Sequence, residues 1–534
     1  MESRYRLWYT GDRSSTIKAP VYVRRKRRIH MLRRVTVETG IVEGIPAADP
    51  RITAFKGIPY AAPPVGENRW RAPQPAKKWD GVLQAYKFGP ISMQHVPGED
   101  PDNIYSREWN VDTSIEMAED SLMLNIWTPA RRADEKLPVF VWYFGGGLRE
   151  GNTAEMEFDG ERLARRGIIV VTVNYRLNVF GFFAHPEITA ENPEFPCNFG
   201  YLDQRYGTMW VKRNIAAFGG DPDNITIGGQ SAGGGSVMAQ VSSPLNKGLF
   251  QKAIVDSGLE LCPYVPNMFG KNLTLPEAEK IGQQFFEELG VKTLAEARKL
   301  DAFYVRDKME KSKLRFGVVT DGHFIVGQSN ELFMKNEVNI VPMLFGHTST
   351  EFPSSPRANT VEEFRAYARE HFGEDADEFL KLCSSYNDSL VEMKQKASAQ
   401  HLEFSIRRLG QKKAETGEKT PMYYWVFDPE IPGWDHPGTF HSCDLWFFFE
   451  TLAKCWRPFK GKHYDIARLM CNYWANFIKK GDPNGKDADG TDMPYWKPYT
   501  HAEPTRMWFG DTAYTEAKGP SELMAFLLKQ ADKE

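Results

Sequence analysis

The stretch Asn224-Ile-Thr-Ile-Gly-Gly-Gln-Ser231-Ala-Gly-Gly-Gly-Ser-Val237 holds the most specific pattern in the chain. Its β-branched start predicts a short strand over Asn224–Gly228, and the small residues after Ser231 are able to open a helix. Between them lies Gly229-Gln-Ser231-Ala-Gly233, a G-x-S-x-G. A nucleophilic serine must stand on a strained strand-to-helix turn, and glycine two residues to either side removes the side chains that would block that turn. The pentapeptide alone fits a glycine-rich turn with an incidental serine equally well, so its meaning depends on what surrounds it.

Working outward, Val139–Phe144 is an apolar and aromatic strand that stops at Gly145-Gly-Gly147, where backbone N–H groups without flanking side chains can converge on a carbonyl oxygen. Ile168–Tyr175 reads as a second buried strand, with further strands at Lys252–Asp256, Val341–Phe345 and Tyr423–Phe427. Helices are predicted at Leu202–Phe218 and at Tyr464–Lys480, the latter stopped by Gly481-Asp-Pro483. Strands alternating with helices predict an α/β fold, a large mostly parallel sheet covered by helices, with the charged helical stretch 270–420 inserted as a cap. Glu351 follows one of these strands and His441 another. The order Ser, Glu, His is that of an α/β-hydrolase.

With these residues in view, the chain resembles the type-B carboxylesterase and lipase family that includes the cholinesterases. The resemblance spans roughly residues 35–510 and rests on five blocks in order. Phe55-Lys-Gly-Ile-Pro-Tyr60, with Pro63-Pro-Val-Gly66 and Arg69, resembles the N-terminal signature; Glu119-Asp-Ser-Leu-Met-Leu-Asn125 resembles the second. Phe218-Gly-Gly-Asp-Pro222 leads into the Ser231 block, and Thr439-Phe-His-Ser-Cys-Asp444 fits the histidine block. Tyr473-Trp-Ala-Asn-Phe477 with Gly481-Asp-Pro-Asn-Gly485 resembles the C-terminal one.

The resemblance implies a serine carboxylic-ester hydrolase working on small to medium apolar esters through an acyl-enzyme, with no metal and no cofactor. Ser231 matches the nucleophile, His441 the general base and Glu351 the acid that orients it. Gly146, Gly147 and Ala232 match three backbone donors of an oxyanion hole, and Arg69 and Glu119 a structural ion pair. His436 and Asp321, in Thr320-Asp-Gly322, compete for the histidine and acid roles. Phe352 follows Glu351 where the family usually has glycine or alanine. The alternative from another class is a non-catalytic binding or adhesion protein on the same fold, against which the complete Ser231, Glu351, His441 set argues.

Composition bounds these readings. The chain has 534 residues, 41% hydrophobic and 26% charged, which describes a globular protein and excludes disorder for most of it. No apolar run approaches the ~20 residues of a membrane-spanning helix. The net charge of −3 is a cancellation: nine Lys/Arg against Glu2 and Asp12 give residues 1–30 a charge of +7, leaving −10 for the other 504. Arg24-Arg-Lys-Arg-Arg28 reads as a solvated arm, as an extension upstream of a start at Met31, or as a binder of nucleic acid or anionic membrane; a nucleic-acid partner is not expected. Residues 1–34 are therefore expected to be a basic extension, and 35–530 a single domain. Length and composition say nothing about the oligomeric state.

Departures from the family carry information too. Six scattered cysteines (Cys197, Cys262, Cys383, Cys443, Cys455, Cys471) include no metal-binding spacing. Ser92 and Ser121 occupy positions where many secreted members close a loop with a disulfide, and with no signal-peptide pattern this favours a cytoplasmic enzyme. The loop between them, 93–120, holds eight Asp/Glu and only Arg107, either a solvated surface or a rim that draws in cations. Gln230 stands where cholinesterases have glutamate, which argues against acetylcholine as substrate. Phe144 replaces the usual histidine or tyrosine, leaving the anchoring of the glycine loop open. Trp446-Phe-Phe-Phe449 reads either as a pocket wall or as core.

Overall fold

In the computed structural model, residues 31–96, 102–109, 115–259, 271–351 and 355–533 are described. The basic run Arg24–Arg28, Cys262 and Phe352 lie outside them. Eleven strands form one sheet: β1 (Ile45–Pro46), β2 (Thr53–Pro59), β3 (Met123–Thr128), β4 (Leu137–Tyr143), β5 (Ile169–Val173), β6 (Gly220–Gln230), β7 (Lys252–Asp256), β8 (Met343–Thr348), β9 (Met422–Phe427), β10 (Thr505–Phe509) and β11 (Ala513–Ala517). Their order across the sheet is β11-β10-β9-β8-β7-β6-β4-β5-β3-β2-β1. All pairs from β10 to β5 are parallel, and the antiparallel pairs lie at the two edges. This mixed sheet with flanking helices is an α/β-hydrolase fold.

The central strands are apolar on both faces because both are covered. Along β4, Val139, Val141 and Tyr143 enter one core with Trp210 and Val237, whereas Phe140 and Trp142 enter the other with Phe448 and Trp474. The period of two thus divides one continuous apolar run between two cores. Truncating a fully buried ring such as Trp474 to alanine is expected to cost ~3–5 kcal/mol.

Five helices matter for the site: α1 (Ile104–Glu108), α2 (Phe199–Asn214), α3 (Ala232–Ser242), α4 (Leu445–Phe448) and α5 (Gly461–Lys480). Helix α5 ends where Gly481 takes a left-handed φ of 76° after Lys479 and Lys480, the stop that the sequence predicts. The 270–420 stretch does carry helices, among them Leu275–Leu289, Val361–Phe372 and His401–Thr416, but it also contains β8.

The expected strands are found, with one notable difference in length. Strand β6 runs from Gly220 to Gln230, well beyond the predicted Asn224–Gly228, because Gly220 pairs with Leu137 of β4 and Gln230 with Asp256 of β7. Its Gly- and Asp-rich ends read locally as turns, and neighbouring strands override that propensity. Helix α2 likewise starts at Phe199 and stops at Asn214, with the rest of the predicted Leu202–Phe218 forming a 3-10 turn over Ile215–Phe218.

Strand β5 lies on one side of β4 and β6 on the other, so chain connections leave the carboxyl ends of β4 and β6 in opposite directions. A crevice at such a point is where open α/β sheets bind ligands.

Candidate active site

Ser231 occupies the turn between β6 and α3 with φ 55° and ψ −123°, a conformation that costs a non-glycine residue ~1–3 kcal/mol. Its N–H donates to the Asp256 carbonyl (2.9 Å), and its own carbonyl accepts from the Gly235 N–H (2.8 Å). A Cβ at Gly229 would lie 2.3 Å from the Gly233 carbonyl oxygen, and one at Gly233 2.1 Å from that of Tyr143. The turn folds so closely on itself and on β4 that both flanking positions require glycine.

Three loops leaving β6, β8 and β9 converge here. His441 Nε2 lies 2.8 Å from Ser231 Oγ, and Nδ1 lies 2.6 Å from Glu351 Oε2. With the proton on Nδ1 facing the carboxylate, Nε2 is left as an acceptor for the serine hydroxyl. Glu351 is 0% exposed. Its other oxygen, Oε1, accepts from Ser257 Oγ at 2.5 Å and from the Thr348 N–H at 3.3 Å. Burial works to raise its pKa, but the charge and hydrogen bond of His441 and the Ser257 hydroxyl outweigh burial and hold it at about 2. The carboxyls of Asp256 and Asp444 are also fully buried, and burial pushes both up, with the charges of their acidic neighbours, including Glu351, adding to the shift. Within this acidic group Glu351 is the carboxyl held low, and the other two are pushed up.

Such an arrangement can take the proton of Ser231 through Nε2 and compensate the resulting imidazolium at Nδ1. The competing candidates are placed differently. Asp321 accepts the N–H groups of His323, Phe324 and Ile325 and the Asn198 amide, capping a turn. His436 is exposed.

The glycine loop after β4 lies directly beside the serine. A Cβ at Gly145 would lie 3.3 Å from Ser231 Cβ, and one at Gly146 2.1 Å from the Glu150 carbonyl oxygen. Gly146 and Gly147 have φ of 95° and 65°, and Ala232 is the first residue of α3. Phe144 anchors this loop by a different contact from a polar side chain. Its buried ring stacks on Tyr175 at 4.2 Å, and its carbonyl accepts the Tyr175 hydroxyl at 2.7 Å.

Ser92 Oγ and Ser121 Oγ are 3.0 Å apart, so a hydrogen bond joins the positions that the resemblance aligns with a disulfide. Arg69 donates to Glu119 through Nε (2.5 Å) and Nη2 (2.7 Å), the expected ion pair. Two of the acids in 93–120 are paired, Glu119 with Arg69 and Glu108 with Arg457. The pocket-wall reading of Trp446–Phe449 gives way to the core one. All four residues are fully buried, and Phe447, Phe448 and Phe449 pack on Phe427, Trp474 and Trp142.

Sequence reasoning missed two contacts made directly at the triad. Ser257, one residue past β7, bonds Glu351; its only signal was its place at the end of the strand beside the serine's own. Gln230 Nε2 donates to Ser442 Oγ (2.7 Å) and sits 3.4 Å from His441 Nε2.

Fold and site together define an α/β-hydrolase with a serine, a histidine and a glutamate in hydrogen-bond contact. The carboxylesterase family model matches residues 32–522, and the chain belongs to that family and is a carboxylic-ester hydrolase. It is 33% identical to fumonisin B1 esterase of Sphingopyxis macrogoltabida over 84% of this chain and 82% of that one. It is 30% identical to para-nitrobenzyl esterase of Bacillus subtilis, covering 91% and 96% respectively. Among solved structures, a PNB esterase matches 93% of this chain and 99% of its own with a TM-score of 0.75 and 27% identity. The carboxylesterase EST55 of Geobacillus stearothermophilus matches the same shares with a TM-score of 0.72 and 28% identity. No helix among the described residues is long and apolar enough to cross a membrane.

Proposed function

We propose that Ser231, His441 and Glu351 are the catalytic triad of a serine esterase that hydrolyses small to medium apolar carboxylic esters. The observation that carries this reading is the unbroken hydrogen-bond chain from Ser231 Oγ through the imidazole to Glu351. Ser231 Oγ attacks the ester carbonyl as Nε2 takes its proton, and the oxyanion is met by the N–H groups of Gly146, Gly147 and Ala232. Nε2 returns the proton to the leaving alcohol, giving an acyl-enzyme. Water then attacks under the same base and releases the acid. Apart from that water, each step is carried by side chains and backbone of this chain.

The neutral Gln230 beside the imidazole supports uncharged rather than cationic alcohols. Residues 35–530 act as one catalytic domain; Leu32, which bonds to Ala130, and Arg34, which pairs with Glu43, belong with it, so only residues 1–30 of the 1–34 extension are dispensable for turnover. The hydrogen-bonded Ser92 and Ser121 support work in a reducing compartment, the cytoplasm. Ser231→Ala should abolish p-nitrophenyl butyrate hydrolysis and leave the thermal melt within a few degrees; retained turnover would overturn the assignment.

A further inference from the structure

Tyr105 of α1 and Trp109, one residue beyond it, stack with centroids 5.6 Å apart, and each stands edge-on to Phe440 at 6.3 Å. Phe440 directly precedes His441, so these rings form an aromatic wall that reaches the histidine's neighbour in the chain. A five-residue helix has no stability of its own to hold such a wall in place. The hold comes from Arg457. Its Nε donates to both oxygens of Glu108 at 3.0 and 2.7 Å, binding the end of α1. Nη1 and Nη2 donate to Asp435 at 3.0 and 3.2 Å, and Nη1 also to the Pro432 carbonyl at 3.1 Å, binding the segment that leads to the histidine. The guanidinium lies 5.4 Å from the Phe440 ring and 4.5 Å from that of Trp456. Arg457 and Glu108 side chains are both 0% exposed. Glu108 gains a further donor in Trp446 Nε1 at 3.0 Å.

We propose that Arg457 is a positioning residue that sets ester selectivity by pinning the Tyr105–Trp109–Phe440 wall against His441. The inference rests on the esterase reading, and the ester group it concerns is a flat aromatic alcohol laid against that wall. Two edges of one guanidinium serve two carboxylates on different segments. A lysine ammonium, a point donor, is unable to reproduce that fork. The network brings two carboxylates to one or two cations, Arg457 and the nearby Arg107, whose Nη2 lies 3.7 Å from Asp435. With both cations counted the four formal charges cancel, and the network acts on the reaction through geometry.

The test compares kcat and KM for phenyl butyrate and methyl butyrate in the wild type, Arg457→Met, Arg457→Lys and Glu108→Gln, with a thermal melt of each. The phenyl-over-methyl ratio of kcat/KM should fall about 3- to 10-fold in Arg457→Met, the size of a lost aromatic contact. The fall should come through KM for the phenyl ester, with kcat for methyl butyrate changed less than about twofold and Arg457→Lys intermediate. Glu108→Gln keeps the side-chain shape and the Trp446 bond, and should reproduce the loss if the arginine variants fail to fold. An unchanged ratio, an equal loss for both esters, or a failure of all three variants to fold would reduce Arg457 to scaffold and overturn the proposal. A wild type that turns over neither ester would overturn the esterase reading and this inference with it. A Ser231-dependent wild type whose variants keep the ratio overturns this inference alone.

Discussion

Replacing Glu351 by glutamine changes one atom of the site, and the structure dictates how that atom is placed. Oε1 of Glu351 faces two donors, the Ser257 hydroxyl and the Thr348 N–H. A glutamine keeps its carbonyl oxygen on that side, where both donors need an acceptor, and turns its NH2 toward His441 Nδ1, 2.6 Å away in the native pair. Nδ1 must then accept, which puts the ring proton on Nε2, facing Ser231 Oγ. That tautomer has no lone pair to take the serine proton, and the imidazolium that forms during the reaction loses its counter-charge. The corresponding amide substitution in a serine protease triad costs ~10⁴ in kcat, or about 5.5 kcal/mol at ~1.4 kcal/mol per decade. We expect kcat for p-nitrophenyl butyrate to fall at least 10³-fold in Glu351→Gln, with KM within about threefold and the fold intact by circular dichroism. Retention of more than a tenth of wild-type kcat would refute the assignment of Glu351 and the tautomer argument together.

Other expectations follow from the same geometry. The Glu351 pKa of about 2 lies below the value of about 4.3 of an unfolded glutamate, so its ionisation stabilises the fold above the unfolded pKa. That contribution, about 3 kcal/mol, is lost as pH falls from about 5 through 2; urea melts should show a steeper acid loss in wild type than in Glu351→Gln, and equal slopes would count against it. Gln230→Glu puts a carboxylate about where an amide now sits 3.4 Å from His441 Nε2. The acid limb of the kcat/KM profile should move up by about 1 unit or more, and an unmoved limb would contradict that placement. Gly146→Ala forces a Cβ to within 2.1 Å of the Glu150 carbonyl at a φ of 95°. Stopped assays should show kcat down by ~10²–10³, the value of one oxyanion donor, and near-native kcat would exclude this loop from the role. Ser92→Cys with Ser121→Cys, 29 positions apart and in side-chain contact, should crosslink under oxidising conditions and stabilise the fold by about 3–4 kcal/mol; a thiol count of two more than wild type after oxidation would show the geometry to be wrong.

What was legible in the sequence was the part written in local patterns. The apolar strands, the serine turn and the glycine loop each announce themselves within a dozen residues, because the chemistry needs glycine where backbones nearly touch. Glu351 and His441 were readable only through order along the chain and family resemblance, since nothing in their immediate neighbours shows that two loops 90 residues apart meet at 2.6 Å. The strand predicted over Asn224–Gly228 falls short of β6 because the ends of β6 are strands only by virtue of their partners. Ser257, Gln230 with Ser442, and the Glu108–Arg457–Asp435 network were invisible for the same reason: each contact joins segments whose approach is set by the sheet order. The aromatic run Trp446–Phe449 read equally as pocket or core, because hydrophobicity alone does not say which side of a loop faces a ligand.

The central claim is that Ser231 is a nucleophile activated by its setting. The most direct measurement is intact mass and peptide mapping after treatment of the full chain with a fluorophosphonate. A single adduct is expected on the peptide carrying Ser231, absent from Ser231→Ala and slowed at least 10³-fold in Glu351→Gln. No adduct on the folded protein, or one mapped to another residue, would contradict the account.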